Sequence, residues 1–353
     1  MRHLNRYLWR AVMVPSLALL LVLVVLNGLF AFIYELEWLR DDYQALQALL
    51  FVVTISPRTI VDFMPMAILL GTLLGLGLLA NSGELTVIRA AGVSTLRICW
   101  MVMRPALLLL CLTALVGEYL APYTEQVAQS NRALAESGGE ALKSKYGYWH
   151  REGDEFIHIN AVQPNGVLYG VTRYRYDELD RLQESLFIER AIFQGDHWFM
   201  EGISASALSD GEVSAYKKDT GVWQTSLTPQ LLSMVILKPE HLALSKLKEY
   251  ADYLAEQELE AGEYLLAFWQ KILQPFATLG MVLIATSFVF GPLRQVTMGL
   301  RMTAGIAAGL LFHYGQQFFG QLSLVFEVSP LLAAAVPAAL SFVIGMILLQ
   351  RSR

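Results

Sequence analysis

The chain has 353 residues, 55% of them hydrophobic and 16% charged, with a mean hydropathy of +0.45. That is too apolar for an ordinary soluble globule and points to a membrane protein. The formal net charge of -5 argues against a nucleic-acid binder, which works through an excess of positive charge.

Arg2, Arg6 and Arg10 precede a first apolar run over residues 11–33. That run is longer than a signal-peptide core and has no clear small-residue cleavage site, so it reads as a span rather than a leader. A polar segment with Glu35, Glu37, Arg40, Asp41 and Asp42 follows, then a second span over 58–80. Gly71, Gly75 and Gly77 make a small-residue face on it, of the kind that lets helices pack closely in lipid. Further spans are predicted over 98–122, 264–290, 302–321 and 330–349. Each approaches the roughly 20 residues that a bilayer needs. Cys99 and Cys111 fall on one predicted helix, on the order of 18 Å apart at helical rise, too far for a disulfide.

Charge sets the expected orientation. One set of loops carries Arg2, Arg6, Arg10, Arg89, Arg97, Arg104, Arg294, Arg301, Arg351 and Arg353, and the opposite short loops carry Arg40 and Arg58. The positive-inside rule then puts both termini and residues 80–97 in the cytoplasm and the large middle region, 123–260, outside. That region alternates apolar and polar residues over 146–149, 155–162, 167–176, 182–193, 198–207, 212–216 and 221–225, with Gly, Asn, Asp and Pro between the runs. These read as short strands of an antiparallel sandwich or open roll with edges able to extend a sheet. From 245 to 260 Leu247, Tyr250, Leu254 and Leu259 turn to helical spacing, with Ser245 as a candidate cap. The expected domains are 1–122 (three spans), 123–260 (β domain and return helix) and 261–353 (three spans).

Residues 80–97 sit between two spans yet carry helix signals. Asn81 can cap, Glu84 three residues later completes a capping-box pattern, Leu85, Val87 and Ile88 form an apolar side, and Gly92 is a stop. A short helix between spans is a handle for a soluble partner. Glu84 either serves that contact or only caps its own helix. No Gly-x-x-x-x-Gly-Lys-[Ser/Thr] loop, no Cys/His cluster with metal-ligand spacing and no Gly-x-Ser-x-Gly elbow occurs, so no catalytic constellation and no cofactor is expected.

Polar residues at membrane depth are the remaining candidates. Asp62, Glu118, Lys271 and Gln274 are scattered. His313, Gln316 and Gln317 share a helical face and are interleaved with Phe312, Tyr314, Phe318 and Phe319. They either hydrogen-bond within a bundle or line an amphiphile cavity, with aromatics toward acyl chains and amides toward sugar or phosphate.

Six spans split three and three by a β-rich domain resemble the LptF/LptG permeases of the lipopolysaccharide exporter. The resemblance is carried by Leu4-Asn5-Arg6-Tyr7, Phe63-Met64-Pro65-Met66-Ala67, the 84–92 handle, Gly117-Glu118-Tyr119-Leu120-Ala121-Pro122 and residues 290–299, the last nearer the LptG branch. It implies a membrane α-helical bundle of six transmembrane helices with an inserted all-β periplasmic jellyroll-like domain over about 135–245. It implies an ABC-transporter permease in a Gram-negative inner membrane that extracts lipopolysaccharide and passes it to a periplasmic jellyroll bridge. The implied partners are an LptB-like ATPase dimer that binds ATP, an LptF-like permease and an LptC-like bitopic protein. Residues 82–92 would be the coupling helix, with Glu84, Leu85, Val87, Ile88, Arg89 and Gly92 at the ATPase. The first and fifth spans would form a lateral gate. Family members often carry lysines at the outer end of the first span, where this chain offers only Arg40; Arg132 is a second phosphate candidate by position. Other classes fit less well. A permease for lipoprotein or phospholipid typically has fewer spans, a receptor would need a cytoplasmic signalling module, and a proton-coupled carrier would need a partner for Asp62.

Overall fold

The structure is a computed structural model that describes residues 2–37, 44–137, 148–163, 166–177, 179, 181–209, 212–229, 231–232, 238–256, 260–290 and 296–351. Arg40, Leu259, Arg294 and the 291–295 part of the stretch that resembles the LptG branch lie outside them. In chain order come α1 (Arg2–Leu36), α2 (Ala45–Asn81), α3 (Glu84–Ala90), α4 (Thr95–Leu115), a π turn (Val116–Leu120) and α5 (Ala121–Ser137). Six strands follow, β1 (Tyr148–Glu152), β2 (Glu155–Val162), β3 (Val167–Tyr176), β4 (Leu182–Phe193), β5 (Trp198–Ser209) and β6 (Glu212–Trp223). After a short 3-10 turn (Pro239–His241) the chain ends in α6 (Leu244–Glu256), α7 (Gly262–Phe290), α8 (Met298–Val325) and α9 (Pro330–Arg351).

Among the described residues, five helical stretches are long and apolar enough to cross a bilayer: Arg2–Leu36, Ala45–Asn81, Thr95–Arg132, Gly262–Phe290 and Pro330–Arg351. The sequence predicts six. The remaining one, α8, is 28 residues long, about 42 Å at helical rise, and so has the length. His313, Gln316, Gln317 and Gln321 lower its apolarity.

The chain divides into two compact units. The first holds 1–27, 57–119 and 243–353; the second holds 28–56 and 120–242. In the first unit, α1 packs on the glycine face of α2. A Cβ on Gly71 would meet the Ser16 backbone and a Cβ on Gly75 would fall 1.8 Å from the Ala11 carbonyl oxygen, so only glycine admits α1 there. The core is built from Leu8 and Val12 of α1, Ile68, Leu69, Leu73 and Leu76 of α2, Ile98 and Val102 of α4 and Val282 and Ala285 of α7. On the other side, α7 and α9 meet closely through Gly280 and Gly345, and Ser341 Oγ donates to the Ala277 carbonyl at 3.3 Å.

In the second unit the strands form one antiparallel sheet in the order β1-β2-β3-β4-β5-β6. Of the sandwich or open roll that the sequence suggests, the described residues form one open meander rather than two packed sheets. A buried row of Ile159, Val171, Ile188 and Ile203 crosses four strands in register. Beyond it the buried set moves to Leu168, Ala191 and Met200, three residues along, so the inward face switches. The switch lies at Gly170 and Gly202, with φ of +62° and +67°, where a Cβ would run into Asn160 and Glu189. The pairing register runs unbroken through both glycines, and the irregularity of β3 against β4 lies instead at Arg175/Tyr176. β6 runs unbroken through residues that the sequence divides between two strands. Trp198 and Trp223 close the core, and Trp198 Nε1 donates to the Leu227 carbonyl at 2.8 Å. Arg173 pairs bidentately with Glu155 and lies 5.2 Å over the Trp223 ring. On the other face is a hollow of about 420 Å³ lined by Ser185, Phe187, Ser204, Ser206, Tyr216 and Lys217, among others.

Candidate coupling site

The handle is a separate helix, and its start differs from the capping box that the sequence predicts. α2 continues to Asn81, so Asn81 is helical and caps nothing; Gly83, at φ +79°, makes the break that a side chain would resist. Among the described residues no side chain caps the start of α3. The Glu84 carboxylate instead receives two hydroxyls, Tyr7 of α1 at 2.5 Å on Oε2 and Ser82 at 2.9 Å on Oε1. A carboxylate has about four lone-pair positions, so Glu84 retains acceptor capacity for a further donor. The stop is as expected. Gly92 has φ +86°, its N–H bonds to the Arg89 carbonyl and the Val93 N–H reaches the Ile88 carbonyl. This is the paired-bond pattern of a Schellman end, and Val93 and Ile88 pack in the same core.

The side chains of α3 divide into an anchor and an outward surface. Leu85 is 3% exposed and Ile88 packs on the core, while Val87 is 69% exposed. Arg89 lies 5.8 Å over the Phe290 ring at the end of α7. The result is a seven-residue helix fixed from below and open above, with an acid in its first turn and a base in its last, each favoured by the helix dipole.

One residue at this site was missed by the sequence reading. Arg301, taken only as a loop charge, is 1% exposed, and its Nη1 donates to the Gly77 carbonyl at 3.1 Å and to Asn81 Oδ1 at 3.0 Å. A signal was present: Arg301, Gly305 and Gly309 recur every four residues, and all three are buried on one stripe of α8.

The other candidates fall elsewhere. His313, Gln317 and Phe318 are exposed on α8 and Gln316 is half-buried, beside Tyr314, also exposed. Among the described residues they form a polar–aromatic face not packed into the first unit's core. Arg132 is buried in the second unit, 3.1 Å from the Glu35 carboxylate and 5.2 Å over the Phe51 ring. Within the chain its charge is met by that carboxylate. Asp62 pairs with Arg58 Nε at 2.9 Å one turn away, a base and not the second buried acid that a proton carrier would need. Glu118, in the π turn, accepts the N–H groups of Leu244 at 2.7 Å and Ser245 at 3.2 Å. It caps α6 from 126 positions away, the task assigned to Ser245 from sequence.

The sequence model of the family "Lipopolysaccharide export system permease LptF/LptG" matches residues 6–351. The chain belongs to the LptF/LptG family of lipopolysaccharide export permeases. It is 37% identical over 352 residues to the "Lipopolysaccharide export system permease protein LptG" of Escherichia coli K12, covering 99% of this chain and 98% of that protein. It is 34% identical over 353 residues to the protein of the same name from Haemophilus influenzae, with 99% of each covered. Three of the stretches that carried the LptF/LptG resemblance lie at polar junctions of the fold: Tyr7 at Glu84, the 84–92 stretch itself, and Glu118 at the start of α6; a fourth, 63–67, lies in the apolar core.

Proposed function

We propose that this chain is a permease subunit of an ABC transporter that extracts lipopolysaccharide from the inner membrane and passes it toward the outer membrane along a periplasmic bridge of β-jellyrolls. Membership of the lipopolysaccharide export permease family makes the chain a transport subunit. The observation that supports the mechanism is α3, a short helix held rigidly at the end of two spans with one side turned outward. A separate LptB-like ATPase dimer docks on it, through Glu84, Val87 and Arg89, and supplies the ATP chemistry; the permease itself carries no cofactor. Closure of the dimer pushes α3 as a rigid body, and the attached spans narrow the lipid cavity.

The rest of the reading follows the chain. Six spans cross the inner membrane, α8 being the sixth, with the termini cytoplasmic and the six-stranded domain periplasmic and jellyroll-like. α1 and the polar–aromatic face of α8, with His313, Gln316, Gln317 and Phe318, meet an LptF-like permease and line the cavity. The β domain adjoins the jellyrolls of that permease and of an LptC-like bitopic protein. Lipid A phosphates are met at Arg40, with cations or the partner permease adding charge, because Arg132 is held by Glu35. The test is co-purification from native membrane with mass spectrometry of bound lipid and protein. An ATPase, a second permease and a lipid A-bearing glycolipid are expected; an ATPase with lipoprotein or plain phospholipid would overturn the substrate.

A further inference from the structure

α2 carries helices on its glycines at two places. Gly71 and Gly75 take α1, whereas Gly77, one turn from the end, takes the start of α8: a Cβ there would meet Met298 Sδ at 2.9 Å and Arg301 Nη1 at 3.4 Å. From that point α8 runs along α2 on a smooth stripe. A Cβ on Gly305 would strike Leu73, and one on Gly309 would touch Leu69. Contacts of this kind hold two helices close, but in lipid no hydrophobic force between them fixes their register. The polar bonds do. Arg301 Nη1 reaches both the Gly77 carbonyl and the Asn81 amide oxygen, on the last turn of α2 and just before the Gly83 break into α3. In a buried, low-dielectric place such a charged donor is costly to detach.

We infer that Arg301 is a positioning residue that locks α8 to the α2–α3 elbow, so that a displacement of α3 is passed to α8. α8 is the long helix with the polar–aromatic exposed face, and Arg301 is its fixed point on the element that the ATPase would push. Tyr7 does the corresponding work for α1 by holding Glu84. The inference rests on α3 being the ATPase contact. It adds the route by which the push reaches the far end of the substrate path.

The assembled transporter in lipid nanodiscs containing lipopolysaccharide tests it, with Cys99→Ala and Cys111→Ala as background and spin labels at Thr86→Cys on α3 and Ala307→Cys on α8. The parent gives one narrow α3–α8 distance. Arg301→Met broadens it and lowers lipopolysaccharide released per ATP on the order of tenfold, the usual scale of coupling between sites, while hydrolysis stays within about twofold. Arg301→Lys, which keeps the charge, restores part of both. An unchanged distance or an unchanged release per ATP in Arg301→Met overturns the inference. Should Arg301→Met fail to assemble, Asn81→Ala removes one acceptor only and is read the same way, with a smaller effect expected and no effect overturning it. Failure of the docking reading shows separately, as Glu84→Ala complexes that retain both the ATPase and full release.

Discussion

Replacing Gly75 by alanine adds one methyl group to a helix, and the structure gives its consequence. The new Cβ would lie 1.8 Å from the Ala11 carbonyl oxygen and 2.8 Å from its carbon. An ordinary carbon–oxygen contact needs about 3.3 Å or more, so α1 must retreat by roughly 1.5 Å. The obstacle is backbone, which cannot swing aside as a side-chain tip can. Alanine gains up to about 1 kcal/mol over glycine in helix propensity. Overpacking costs about 1–3 kcal/mol and more when backbone must move. Leu8 and Val12, both fully buried, also lose contact, and the 2.5 Å Tyr7–Glu84 bond opens. The net expectation is a loss of about 2–3 kcal/mol, the upper part of that overpacking range, since backbone must move and the propensity gain offsets only part of the cost. Gly315→Ala on α8 is the control, because a Cβ there meets nothing within 4 Å and only the propensity gain remains. Unfolding of the purified chain in mixed micelles by titration with a denaturing detergent measures both. Equal shifts for the two variants, or a Gly75→Ala chain as stable as the parent, would refute the close α1–α2 packing.

Three further outcomes are expected. Glu35→Leu leaves the buried Arg132 guanidinium without that carboxylate and should destabilise the chain by about 3–5 kcal/mol, with Glu35→Leu/Arg132→Met recovering most of it; an additive double variant would argue against the pair. Glu118→Ala uncaps α6 at a cost of about 1 kcal/mol, seen as faster amide hydrogen exchange at Leu244 and Ser245, and unchanged rates there would discount the long-range cap. Burial pushes the His158 imidazole below its usual pKa, so the unfolded chain takes up a proton at about pH 6.5 before the folded one does. The stability this preserves is complete above about pH 6.5 and is lost as pH falls through the lower, folded value. Denaturant midpoints of the β domain should therefore drop on mild acidification, and His158→Gln should flatten that slope.

Much of the fold was legible where turn residues punctuate apolar runs. β2, β3 and β4 have the bounds that the sequence reading gives them, because Gly, Asn, Asp and Pro fall between those runs. β6 was cut in two at Lys217, Lys218 and Asp219: it is a sheet edge whose described side chains from Val213 to Thr220 are all exposed, so no alternation of burial marks it, and backbone pairing with a Tyr216–Glu184 hydrogen bond holds it there. The close packing on the α2 glycines was legible too, but not that they serve two helices: Gly71 and Gly75 admit α1, whereas Gly77, expected on the same face, admits α8. The long-range polar contacts were not. Nothing local joins Tyr7 to Glu84, Glu35 to Arg132, or Glu118 to Leu244; each pair is made by packing of elements far apart in sequence. The capping box failed because the Gly83 backbone turned the chain before Asn81 could act as a cap.

The central claim is that α3 delivers the work of a separate ATPase, and the Glu84→Ala variant in the reconstituted complex tests it most directly. The Leu85 anchor of α3 remains in this variant, so the chain is expected to stay folded although the Tyr7 and Ser82 hydroxyls lose their acceptor. The expected result is weakened retention of the ATPase, or hydrolysis that continues without lipopolysaccharide release. Full retention together with parental release per ATP would contradict the assignment of residues 84–92 as the coupling site.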